Sequence, residues 1–187
     1  MEERKITIEL ITQMLGTVPK NKEIYADFIA TKNPSGIDNA EIESIEEIEE
    51  RGWTGFHSDG KGLFVYDYFI KGFIKNAGNV LKDIVKVKNL RNKIGEYAFV
   101  CPRIIYLGKD KPDGYIERPL RAQTMQGPRV TLVRSDYIKE GTKIEFIIKL
   151  LKHKEITWEI IDELLRYGEL QGLGQFRNGG YGRFKVV

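Results

Sequence analysis

The 187-residue sequence contains a single cysteine, Cys101. One thiol cannot close an intrachain disulfide, so no cross-linked scaffold is expected, and such sparing use of cysteine fits a reducing compartment. Phe99, Val100 and Ile104 flank it, as expected for a buried strand thiol. Histidine is nearly as scarce, with only His57 and His153. No Cys/His spacing has the pattern of a zinc site, and no cofactor is expected. No apolar run approaches the ~18 residues that a membrane-spanning helix needs. The opening MEERKITIEL places charges where a secretory leader has its apolar core. These absences point to a soluble, cytoplasmic protein with no membrane partner.

Apolar residues make up 41% of the chain, enough for one packed core. Charge is unevenly spread. Residues 1–60 carry 6 Lys+Arg against 13 Asp+Glu, whereas residues 61–187 carry 24 against 14. A basic C-terminal two-thirds favours polyanions, although solvated surface lysines give the same balance.

Hydrophobic periodicity divides the chain into elements. Alternating Ile6, Ile8 and Leu10 predict a first strand within 5–15. Helical spacing recurs over 21–31 and, among glutamates, over 38–51 through Ile42, Ile45 and Ile48. The acidic face of the second helix is either solvated or docks on a basic surface. Glycines and aromatics around His57 predict a loop or short hairpin. A helix over 67–84 follows, with Asp67 at the N-cap. Residues 96–107 read as a strand broken at Pro102, and 116–134 as extended chain interrupted by Gln126-Gly127-Pro128. A strand over 142–150, a helix from Thr157 to Tyr167 and a final strand at 183–187 complete the pattern. Together they predict an α+β fold: a ferredoxin-like (RRM-like) antiparallel sheet with helices on one face and an inserted helical segment. A single domain spans 1–187, with 20–60 an insertion or subdomain.

The most informative stretch is GLGQFRNGGYGRF, residues 172–184. Gly172, Gly174, Gly179, Gly180 and Gly182 crowd a segment that also carries Phe176, Arg177, Tyr181 and Arg183. Such density implies positive φ angles or close approach of another chain. Amides and guanidiniums suit phosphate, and rings suit bases. The stretch lacks the Gly-Lys-Ser/Thr ending of a P-loop, and it follows a helix rather than a strand, unlike a Rossmann fingerprint.

GLGQFRNGGYGRF resembles the C-terminal glycine-rich loop of the RAMP superfamily, the repeat-associated proteins of CRISPR systems. YDYFIKGFIKNA (66–77) is similar to that family's helix opening on a Lys-Gly pair, with Lys71, Gly72 and Lys75 at the matching positions. RPLRAQ and the following RVTLVRSDYIKEGTKIEFIIKLL resemble its hairpin and penultimate strand. Residues 20–60 have no counterpart.

The resemblance implies RNA or single-stranded DNA as partner, held by Lys71, Gly72, Lys75, Arg118, Arg121, Arg129 and the 172–183 segment. It is nearest to the backbone-subunit type, which implies homo-oligomers or partner RAMP-type subunits and a role in antiviral defence. At this length a stand-alone viral or mobile-element relative is also expected. A binding module is favoured over an enzyme. One alternative is a metal-independent endoribonuclease using His57, since a histidine near neutral pKa with Lys61 close by suits acid–base cleavage of RNA. Another is a structural or interaction protein that self-assembles or blocks a host complex.

Overall fold

A computed structural model describes residues 1–20, 52–124 and 127–187, with side chains for all of these except 120–131. The expected helices at 21–31 and 38–51 lie outside the described residues.

The described elements run β1 (Glu2–Leu10), β2 (Met14–Leu15), β3 (Val18–Pro19), β4 (Trp53–Gly55), β5 (His57–Asp59), β6 (Gly62–Tyr66), α1 (Asp67–Leu81), α2 (Leu90–Tyr97), β7 (Ala98–Cys101), β8 (Ile104–Tyr106), β9 (Gly114–Thr124), β10 (Gly127–Ile138), β11 (Lys143–Leu150), α3 (Trp158–Arg166) and β12 (Phe184–Val186). The fold is mixed α+β.

The main sheet has the order β12-β1-β11-β7, antiparallel throughout. Its register follows from alternation. Ile6 faces Phe146 and Ile8 faces Ile144, so the apolar halves of β1 and β11 share one side. The helices cover that side: Ile70, Phe73, Ile74, Ala77 and Leu81 of α1, Leu90 and Ile94 of α2, and Ile161, Leu164 and Leu165 of α3 join the strands in one core. Burying each of the leucine, isoleucine and phenylalanine side chains contributes about 1.5–3 kcal/mol. Phe184 anchors β12, its ring 5.0 Å from that of Phe73. Gly168 lies against the same ring, where an added Cβ would sit 2.3 Å from it.

The other side of the sheet is open and carries a ladder of opposite charges. Lys149 pairs with Glu3 directly across the strands at 3.3 Å and Lys185 with Glu9 at 3.5 Å, while Lys5 meets Glu145 at 2.7 Å. Cross-strand pairs of opposite sign are the arrangement a solvated sheet face favours.

Two further sheets, of five and three strands, complete the described strands. In the first, β9 and β10 form a long hairpin, Gly127↔Thr124 to Tyr137↔Gly114, and β10 also pairs with β2 and β4. The β10–β4 pair is parallel, a pairing that the expectation of one antiparallel sheet did not include. In the second, β6 lies between β5 and β8.

Several boundaries shift from expectation. Helix α1 ends at Leu81, and its N-cap is Tyr66 rather than Asp67. Asp67 instead accepts bonds from the Tyr68 amide at 2.8 Å and from Arg103 at 2.5 Å. Helix α2 was not anticipated, and its last two residues, Glu96 and Tyr97, were expected to begin a strand. Cys101 is a half-buried free thiol at the end of β7. Among the described residues no helix is long and apolar enough to cross a membrane.

Candidate nucleic-acid interface

The glycine-rich segment is tied to the body of the fold at several points. Gly172, Gly174, Gly180 and Gly182 all have positive φ. At Gly182 an added Cβ would lie 1.8 Å from the Leu173 carbonyl oxygen, so the two sides of the segment touch there. The Leu173 amide donates to that glycine's carbonyl, and the Gly182 amide donates to the carbonyl of Gln13. The Gly179 and Gly180 amides donate to the carbonyls of Phe176 and Arg177. These three glycine amides are spent on the chain itself. What the segment presents outward is therefore mainly side chains rather than a nest of free amides.

Gln175 holds the segment to the second sheet. Its backbone forms a bridge with Leu15, and its Oε1 accepts from Ser135 (2.9 Å), Arg118 (2.9 Å) and Thr54 (3.1 Å). Phe176 follows in a left-handed conformation, φ 53°, and is 46% exposed. Gly179 makes room for its ring: an added Cβ would be 2.3 Å from it. The ring stands 5.8 Å from Tyr181, with the Arg118 guanidinium 4.6 Å from its centre. Arg118 has Nε and Nη1 buried without a partner, and burial lowers its pKa from the usual arginine value.

Between this segment and α1 lies a cleft of about 420 Å³. Tyr68, Gly72 and Asn76 line it from α1, Arg91 from α2, and Gly174 and Arg177 from the glycine-rich segment. The two motifs read separately in the sequence thus form opposite walls of one groove. Gly72 has no neighbour within 4 Å of a would-be Cβ, so packing within the protein does not require glycine there. Arg91 and Arg183 are exposed and Arg177 is half-buried. Among the described residues none of the three guanidiniums meets a carboxylate.

Other expected contacts are placed differently. The Lys71 ammonium donates to the carbonyls of Ile94 (2.8 Å), Gly95 (3.1 Å) and Ala98 at the end of α2. An ammonium has three protons, so all are engaged. Burial, and then the nearby Lys75, bring its pKa down to about 8. Lys75 is half-buried against Gly95. Arg121 and Arg129 lie in the β9–β10 hairpin, and their side chains are outside those described.

His57 does not line the cleft. It lines a small neighbouring hollow of about 30 Å³ that shares Tyr68 and Phe69 with it. Its ring stacks on Phe64 at 5.4 Å, and burial lowers its pKa below 6.5. The Asp59 carboxylate, two residues on, accepts instead from the Tyr106 hydroxyl at 2.9 Å and the Lys61 amide at 2.8 Å. His153 accepts the Glu155 amide at 3.1 Å and packs on Tyr97. Among the described residues no three His, Cys, Asp or Glu side chains cluster as metal ligands.

Sequence reasoning missed Arg91, Tyr68, Asn76 and Arg103. Leu90 and Ile94, four apart and both buried, were the available sign of the helix that carries Arg91.

No protein-family model matches the chain, and no curated protein matches it. Among solved structures it is similar to a chain of the type III-B Cmr-beta complex, determined by cryo-electron microscopy bound to cognate target RNA. The TM-score is 0.54 at 13% identity, over 99% of this chain and 58% of that one. The present chain therefore shares that chain's fold while spanning a little over half its length.

Proposed function

We propose that this protein binds RNA, or a related single strand, in the cleft between α1 and the glycine-rich segment, as a RAMP-type module of ferredoxin-like fold. The carrying observation is that Gly72 on α1 and Gly174 and Arg177 on the segment face one another across a groove with Arg91 at its side. Strand order supports the fold reading. One β-α-β unit runs β1, α1, β7 and the other β11, α3, β12, each with a strand of the other unit between its two strands. The RNA-bound state of the Cmr-beta complex supports the partner class.

The chemistry is electrostatic and stacking rather than covalent. Arg91, Arg177 and Arg183 present guanidiniums to phosphate, and Gly72 lets a backbone approach α1 closely. Phe176, with Arg118 against its ring and Tyr181 beside it, offers a surface for a base. Lys71 holds the C-terminal end of α2, the helix whose first turn carries Arg91.

The deciding experiment is fluorescence anisotropy with labelled single-stranded RNA, wild type against Arg177→Ala/Arg183→Ala. Charge-assisted bonds contribute about 1.5–3 kcal/mol each, so the double variant should bind at least about 100-fold more weakly. Its melting temperature should stay at the wild-type value. Unchanged affinity in a folded double variant would remove the cleft as the site.

A further inference from the structure

Beyond the cleft, β6 and the start of α1 carry a run of rings of which only Tyr68 lines the cleft. Tyr66 and Tyr68 stand 5.5 Å apart and nearly parallel, at 25°. Phe64 and His57 continue the run behind Tyr66, at 5.3 and 4.8 Å from it, and Tyr106 of β8 stands 6.1 Å from Phe64. Such spacings make one contiguous aromatic surface. The run is partly solvent-facing: Tyr68 is 52% and Tyr106 36% exposed.

Arg103 lies over this surface, 4.9 Å from the Tyr66 ring and 5.3 Å from Tyr68. Its Nη1 bonds Asp67, yet the side chain remains 65% exposed. An arginine spread over tyrosine rings, with donors still facing water, can hold a phosphate beside a stacked base. A purely structural aromatic cluster would gain nothing from leaving two tyrosines and an arginine open.

We infer that this aromatic face is a second subsite for the same single strand, stacking bases as the strand leaves the cleft, with Arg103 on the intervening phosphate. The inference rests on the cleft reading, because continuity supplies the occupant: Tyr68 belongs both to the cleft wall and to the ring run. The rings at 5.5 Å are too close to admit a base between them, since each stacked layer needs ~3.4 Å. Bases therefore stack on the outer, solvent-facing side.

The test uses the full chain with single-stranded RNAs from about 4 to about 16 nucleotides, the range of known single-strand site sizes, comparing wild type, Arg103→Ala/Tyr106→Ala and Arg177→Ala by anisotropy. Neither Arg103 nor Tyr106 lines the cleft. Affinity of wild type should rise with length, and the ring-face variant should lose about tenfold on the longest RNAs while matching wild type on the shortest. Circular dichroism and melting first establish that each variant is folded. If Arg103→Ala/Tyr106→Ala destabilises the sheet, Arg103→Gln alone, with ultraviolet crosslinking of uridines mapped to peptides, takes its place. Adducts on Tyr68 or Tyr106 that appear only with long RNAs support the subsite. Equal length dependence in the ring-face variant, or adducts confined to Phe176 and Tyr181, overturns it. Failure of the cleft reading is separately visible: Arg177→Ala would then bind every length like wild type.

Discussion

The open face of the main sheet and the cleft both carry cations, yet they use them in opposite ways. On the sheet face Lys5, Lys149 and Lys185 each meet a glutamate across the strands. Arg91 and Arg177, which line the cleft, and Arg183, whose guanidinium lies near Gly180, meet no carboxylate among the described residues. The number of basic residues does not separate the two surfaces, but their pairing does. A paired lysine must give up its partner before holding phosphate, whereas an unpaired guanidinium has only water to displace.

The largest effect expected from this contrast is structural. Gly182→Ala should destabilise the fold by about 2 kcal/mol or more, because an L side chain there is strained at φ 74° and its Cβ would strike the Leu173 carbonyl. Thermal or denaturant unfolding reads it. A wild-type midpoint would mean that the segment is not held shut as described.

Gly72→Ala should separate stability from binding. A helix-interior glycine with open space around it becomes more stable by about 0.5–1 kcal/mol as alanine. If the glycine serves close approach of a strand, RNA affinity should fall in the same protein. A rise in stability with unchanged affinity would remove Gly72 from the interface.

The smallest effect belongs to the sheet face. Lys149→Ala removes an exposed cross-strand pair and should change stability by less than about 1 kcal/mol, with RNA affinity unaltered. Weakened RNA binding there would break the contrast between the faces.

Much of this could be read in the residues. The apolar alternation of β1 and β11 and the three-and-four spacing of α1 and α3 are strong signals, because one face of each is buried. The glycine-rich segment and the Lys-Gly helix were also visible. Their partnership was not, because they lie about a hundred residues apart and only the sheet order brings them together. Nor could the inward turn of Lys71 be read, since a lysine reads as a surface charge until carbonyls are found around its Nζ. The parallel β10–β4 pair was hidden because β4 has only three residues, too few to show alternation. The glycines themselves signalled close approach, but not that what approaches Gly172 and Gly182 is the segment's own backbone.

The most direct test of the account is the salt dependence of RNA binding in two triple variants. One removes the unpaired arginines of the cleft and the glycine-rich segment, Arg91→Ala/Arg177→Ala/Arg183→Ala, and the other the sheet-face lysines, Lys5→Ala/Lys149→Ala/Lys185→Ala. Each phosphate that the protein no longer neutralises lowers the slope of log affinity against log salt by about 0.7 for a single strand. The account predicts a slope reduced by about 2 in the cleft variant and a wild-type slope in the sheet-face variant. A reduced slope in the sheet-face variant, with the cleft variant like wild type, would contradict it.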